Sequence, residues 1–202
     1  MPAADEQHSA RQNPPERHGR AGEVVGLVLQ VQEGSREAFR ELVERYMKHA
    51  YNVAYRVVGN HHDSEEIAQE AFVRAHGAIA SFRGEAEFST WLYRIVMNLS
   101  LNRLKQIRRN SARMVSDGES LIASVGNNPA TDPGNDVSLH IERALHELPT
   151  LQRAVVILRH FDGLSTRQVS TILRCSEGTV KTHLYRGLKK MKSKLGFLRD
   201  EA

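Results

Sequence analysis

Apolar residues recur along this chain every three or four positions, the period of a helix with one buried face. Ser35 stands where it can cap a helix whose apolar positions are Phe39, Leu42, Val43, Tyr46, Ala50, Val53, Ala54 and Val57. Asp63 and Glu66 have the spacing of a capping box, after which Ile67, Ala71, Ala75 and Ile79 step by four. A short turn containing Gly84 leads into a further helix over 88–108, with Trp91, Leu92, Ile95, Val96, Leu99 and Leu104 as its apolar set. The stretch VVGLVLQV (24–31) reads as a strand or a helix; nothing nearby offers a strand partner, so a short helix is predicted.

From Asn110 to Ser138 the period is lost, and Gly, Pro, Asn, Asp and Ser dominate. That texture predicts a linker. Helical spacing resumes over 139–148, breaks at Pro149 and runs on through Leu151, Val155 and Leu158 to Phe161. Ser165 then caps a two-turn helix over 166–173 with Val169 and Leu173 inward, "RCS" turns the chain, and Ser176 caps a last helix with Val180, Leu184 and Leu188 inward. The expected protein is all-α. It has a flexible tail over 1–22, a helical domain over 23–109, a linker over 110–138 and a C-terminal domain over 139–197 containing a helix-turn-helix.

Composition narrows the class. No run of some 18 apolar residues exists, so no membrane insertion is expected, and the N-terminus lacks the apolar core of a secretory signal. One cysteine, Cys175, excludes an internal disulfide and suits a reducing cytoplasm; in the turn it fits a small buried hydrophobe better than a redox sensor. The net charge of +4 is unevenly spread. Residues 163–195 hold eight Lys/Arg against Glu177 alone, 91–113 hold six and no acid, and 60–87 hold six acids against Arg74 and Arg83. Two basic stretches flanking an acidic one point to a polyanion and to a second, basic partner.

The last helix pair supplies the chemistry. Lys181, Thr182, Tyr185, Arg186 and Lys189 share one outward face. Such a face suits a major groove, with donors at base edges and later cations on phosphates. A helix-turn-helix alone does not fix function. TVKTHL (179–184) is also similar to the matching stretch of LuxR-type regulators, but 1–110 lacks the alternating strands of a receiver domain. A dimeric repressor would need an apolar seam, and none is left over. His61, His62 and Asp63, with His49, evoke a metal-dependent phosphohydrolase, yet no converging ligand set can be assembled; neither enzyme activity, metal nor cofactor is expected.

Four stretches occur in order: DSEEIAQEAFVRAH (63–76), FRGEAEFSTWLYRIVMNLSLNRLK (82–105), LHELPTLQRAVVILRHFDGLSTRQVS (145–170) and SEGTVKTHLYRGLKKMK (176–192). Together they resemble the extracytoplasmic-function (ECF) group of sigma-70-type RNA polymerase sigma factors, over about 35–195. The resemblance implies that the helix over 63–76 meets the β′ clamp helices of core RNA polymerase. Asp63, Glu66, Gln69, Glu70 and Arg74 are the candidates there, with Asp63 and Glu66 also serving as caps. It implies that 82–105 opens the −10 element. Phe82 and Phe88 would bound a base pocket, Asn98 would offer an amide, and Arg94, Asn102, Arg103 and Lys105 would hold phosphates. Trp91 fits the core better than a base wedge. The C-terminal domain would sit on the β flap and place Lys181, Thr182, Tyr185, Arg186 and Lys189 on the −35 element of promoter DNA. An anti-sigma factor released by stress is the further implied partner. The tail before Glu23 has no assigned role.

Overall fold

The protein's structure, a computed structural model, describes the backbone of residues 15–116 and 136–196, and side chains over 22–110 and 137–196. The middle of the expected linker and the first part of the expected tail therefore lie outside the described residues. Every regular element among the described residues is helical. They are α1 (Pro15–Gln32), α2 (Arg36–Val58), α3 (His61–Ala78), a 3₁₀ turn (Ile79–Ser81), α4 (Phe88–Ser116), α5 (Asp136–His146), α6 (Thr150–Val156), a π turn (Ile157–Phe161), α7 (Thr166–Leu173) and α8 (Glu177–Lys194).

Helix α1 is longer than the short helix expected over 24–31 and starts at Pro15, a residue whose fixed φ suits a first helical position. Its Val24, Val28 and Val31 are buried, while Val25 and Leu29 stay exposed. Ser35 caps α2 as expected, its hydroxyl accepting from the Ala38 N–H at 3.2 Å, and Leu42, Ala50, Val53, Ala54 and Val57 are buried beneath it. The cap of α3 departs from expectation. Asn60, not Asp63, takes the N-cap position and its Oδ1 accepts from the Asp63 N–H at 2.9 Å. Asn is as good a cap as Asp, and the earlier start lets Ser64 join Ile67, Ala68 and Ala71 on the buried face. Helices α2, α3 and α4 pack on one another and α1 lies across α2, giving a core that includes Leu92, Val96 and Met97.

In the second half, α6 and α7 both pack against α8. Val169 and Ile172 carry the inward face of α7, and Leu173 is only partly buried. The inward face of α8 also differs from the expected Val180, Leu184 and Leu188. Val180, Gly187 and Met191 are buried, Leu184 is half-buried and Leu188 is exposed. Two successive steps of four drift around a helix of 3.6 residues per turn, whereas mixing steps of three and four holds one line. Gly187 makes that line possible, because a Cβ there would come within 2.7 Å of Val156 Cγ2.

The halves also touch. Arg153 of α6 is 8% exposed and donates from Nη1 to the Val57 carbonyl at the end of α2, 2.6 Å away, and from Nη2 to the carbonyls of His146 and Leu148. Arg56 stands 3.9 Å from Asp162 and 4.6 Å above the Phe161 ring. Gly59, in the left-handed region at φ 77°, leaves room for the His146 ring, which a Cβ would meet at 2.7 Å.

Candidate nucleic-acid interface

The α7–α8 pair is built by capping. Ser165 accepts from the Gln168 N–H while Gln168 Oε1 accepts from the Ser165 N–H, closing a capping box at the start of α7. Arg174 ends α7 at φ 52°, and its N–H reaches the Ser170 carbonyl. A left-handed non-glycine residue is costly, so the sharp turn is held by what surrounds it. Two residues later Ser176 caps α8 by accepting from the Thr179 N–H at 3.0 Å. The geometry sets Lys181, Thr182, Tyr185, Arg186 and Lys189 on the exposed side of α8, with Tyr185 68% exposed. Among the described residues no acid is bonded to any of the three cations on this face. The Thr182 hydroxyl donates back to the Gly178 carbonyl at 2.9 Å, so it is the methyl that faces outward most freely.

The second basic region starts at the loop joining the 3₁₀ turn to α4. Phe82, Phe88 and Trp91 form one aromatic cluster with centroids 5.1–6.2 Å apart, extended to Tyr46. Phe88 is buried, so it supports the cluster from below, while Phe82 and Trp91 are half-buried at the surface. A cleft of about 790 Å³ opens here, lined by Phe82, Arg83, Thr90, Trp91 and Arg94 on one side and by Arg167, Gln168 and Thr171 of α7 on the other. The sequence reading missed the α7 wall, since nothing local in residues 166–173 marks them as neighbours of residue 90. Asn98, Asn102 and Lys105 are exposed and continue from Arg94 along α4. Arg103 is already engaged: Nη1 lies 3.3 Å from Asp63 and Nη2 bonds Glu66. Gln32, at the end of α1, donates both amide protons, to the carbonyls of Ile79 and Phe82, each at 2.9 Å. The loop therefore leaves the domain from a fixed point.

The third surface is the outer face of α3. Gln69, Glu70 and Arg74 are exposed there, with Glu70 and Arg74 paired at 2.8 Å. Val73 lies among them and is 67% exposed. A sequence signal for it existed, an apolar residue off the buried line of Ile67, Ala71 and Ala75. The side chains of Asp63 and Glu66 point toward α4, where they meet Arg103.

Burial and charge tune a few groups. The Asp162 carboxyl is pushed up to about 6 by burial, against the opposing pull of Arg56. Burial, then Arg153, holds His146 down to about 4, so it is neutral at pH 7. Cys175 is half-buried and its thiol is raised by burial, which disfavours the thiolate. His61 stacks on Tyr51 and Tyr55. Among the described residues no group of three or more His, Cys, Asp and Glu could hold a metal ion, and no helix is long and apolar enough to cross a membrane.

Comparison with known proteins matches this layout to two family models, sigma-70 region 2 over residues 42–110 and sigma-70 region 4 over residues 138–191. The chain is 34% identical over 176 residues to the ECF RNA polymerase sigma factor SigW of Bacillus subtilis, covering 83% of this chain and 94% of that one. It is also 34% identical over 177 residues to the ECF RNA polymerase sigma-E factor of Haemophilus influenzae, covering 84% and 93%. In fold it is similar, at a TM-score of 0.65 and 23% identity over 78% of this chain and 96% of the other, to the sigma factor RpoE solved in complex with the anti-sigma factor NepR from Bartonella quintana.

Proposed function

This chain belongs to the ECF group of RNA polymerase sigma factors, and from that premise we propose how its surfaces divide the work of promoter-directed initiation. The exposed face of α8 reads the −35 element. Lys181 and Arg186 are the donors placed to reach base edges, Thr182 and Tyr185 offer apolar contact, and Lys189 faces phosphate. Residues 82–94 form the −10 site, with Phe82 and Trp91, the latter half-buried on the cleft wall rather than the core residue expected from its spacing, as the stacking surface for an extruded base and Arg83 and Arg94 beside it. Asn98, Asn102 and Lys105 extend the track along α4. The outer face of α3, with Gln69, Glu70, Val73 and Arg74, docks on core polymerase at the β′ clamp helices, and the α5–α8 module sits on the β flap. The chain works in the cytoplasm, where polymerase is, and contributes recognition and strand separation rather than catalysis. An anti-sigma factor, as in the RpoE–NepR complex, is the expected restraint.

The observation that carries this reading is the coexistence of two nucleic-acid surfaces of different character. One is a rigid, cation-bearing helix for duplex, and the other an aromatic cleft for an unstacked base. Sigma factors give core polymerase a specificity it lacks. Run-off transcription with purified core enzyme on genomic promoter fragments tests it: a defined start appears only when this protein is added. Transcripts that are identical with and without it end the proposal.

A further inference from the structure

Three guanidiniums stand around one aromatic surface without a carboxylate to hold them. Arg83 reaches the cleft from the loop before α4, Arg94 from α4 and Arg167 from the first turn of α7. Glu85 and Glu87 line the same cleft. Even so, every ion pair among the described residues lies elsewhere, and Glu87 accepts only from the Ser89 hydroxyl, at 3.4 Å. Arginines kept apart from the acids beside them are free for another anion, and their planar fork matches phosphate. Three of them, carried by three separate elements, match a chain of phosphates better than a single one.

The rings supply the other half of a ligand. Phe82 and Trp91 are half-buried with centroids 5.1 Å apart, and their remaining exposed surface gives a base something to stack on. Stacking surface and cations together are the chemistry that holds a nucleotide. The shape of the cleft suits a free one. Thr90 is 3% exposed and accepts from Gln168 Nε2 of α7 at 3.3 Å, a bond that joins the two walls and closes the cleft at that end. A nucleotide within a strand must be followed by a neighbour on either side, whereas a free nucleotide needs one opening. The volume of about 790 Å³ falls in the range of small-ligand sites.

We propose that this cleft binds a free nucleoside triphosphate, with the base against Phe82 and Trp91 and the phosphates on Arg83, Arg94 and Arg167. Glu85 and Glu87, both exposed, weaken that hold without cancelling three cations. The binding rests on the geometry of the cleft alone. Its consequence, competition with an extruded −10 base for the same rings, rests on the assignment of the −10 site made above.

Trp91 is the only tryptophan of the chain, so its emission reports occupancy directly. The test titrates the full chain at fixed ionic strength with GTP, ATP, guanosine, inorganic tripolyphosphate and a single-stranded −10 oligonucleotide, and calorimetry gives the stoichiometry. GTP or ATP should quench Trp91 saturably at one molecule per chain. Guanosine and tripolyphosphate, each lacking half of the contacts, should bind at least about tenfold more weakly. Arg94→Ala and Arg167→Ala should each weaken the nucleotide about tenfold, the loss of a charged hydrogen bond. Glu87→Gln should tighten it, and Lys192→Ala, on the exposed side of α8, should change nothing. Circular dichroism of each variant checks that the helices are retained, and Arg167 is exposed enough to be replaced without disturbing a core. Absence of saturable quenching by both nucleotides overturns the proposal. So does tripolyphosphate binding as tightly as GTP, which marks an adventitious anion only, or guanosine binding as tightly, which leaves the guanidiniums idle. Full affinity in Arg167→Ala overturns it as well. An oligonucleotide that binds where nucleotides do not also overturns it and leaves the −10 reading standing. A nucleotide that binds and is not displaced by the oligonucleotide sustains it and counts against the −10 reading.

Discussion

Replacing Gly187 by alanine sets two effects of opposite sign against each other in α8. Alanine in a helix interior is favoured over glycine by about 1 kcal/mol. The new methyl would stand 2.7 Å from Val156 Cγ2, closer than carbon atoms approach, while Gln152 O at 3.5 Å is no obstacle. Val156 is fully buried, and a β-branched side chain in a helix has one strongly preferred rotamer, so it cannot turn aside. Overpacking of this kind costs about 1–3 kcal/mol. The clash wins, for a net loss of about 1 kcal/mol and a fall of several degrees in the melting temperature of a module this small. The methyl also lifts α8 off α6, so −35 duplex affinity should fall at temperatures where the module is fully folded. Thermal unfolding by circular dichroism, with a double-mutant cycle against Val156→Ala, measures the coupling. Alanine at both positions, where the shorter residue 156 makes room for the new methyl, should recover about 1 kcal/mol relative to the sum of the single changes. A rise in melting temperature equal to the full propensity gain would refute the close seating of α8 on α6.

Other outcomes follow from the same geometry. Lys181→Ala or Arg186→Ala should cost about 1–3 kcal/mol on a matched −35 duplex and little on a scrambled one, by fluorescence anisotropy at fixed salt; equal loss on both would make these residues phosphate clamps. Gln32→Glu turns a carboxylate toward the carbonyls of Ile79 and Phe82. It should reduce permanganate reactivity of −10 thymines about three- to tenfold, the equivalent of losing a net hydrogen bond or so, with −35 binding unchanged. Two buried groups give opposite pH trends. Asp162 has its pKa raised from 3.8 to about 6 by burial, so the folded state holds its proton more tightly and this group adds stability as pH falls from about 6 toward 4. His146, lowered from 6.5 to about 4, must charge on acidification and removes stability across nearly the same window. Asp162→Asn should thus leave a steeper acid-side loss in urea titrations between pH 6.5 and 4 than the parent shows; an identical profile would refute the burial of Asp162.

Helical spacing exposed α2, α4 and the α7–α8 pair because each hides one continuous apolar face, and a period survives without knowledge of neighbours. The start of α1 was not legible, since residues 15–22 carry no apolar repeat. At α3 two adequate caps lie within three residues of each other, and only packing of Ser64 and Ile67 chooses Asn60. Leu188 is read as inward from its sequence and Met191 is not, because hydrophobicity reports affinity for a core, not which side of the helix the core is on. Tyr185, Arg186 and Lys181 were readable as a surface because nothing else wants them. Least legible was the contact between modules. Arg56, Arg153 and Asp162 are each an ordinary surface charge in sequence, and become a packed set only when residues about a hundred positions apart meet.

Arg103 is a single guanidinium with two suitors. In this arrangement it is spent on Asp63 and Glu66 across the α3–α4 groove, and a planar cation so engaged has little left for a nucleic-acid oxygen. Anything basic that draws those two carboxylates away sets a positive charge loose on α4, the helix proposed above to carry the track for the melted strand. By thermodynamic reciprocity, DNA that captures Arg103 strips the carboxylates of their counter-ion and sharpens their appetite for the basic surface. On the proposed assignment, one shared guanidinium thus couples a basic partner of α3 to DNA held along α4.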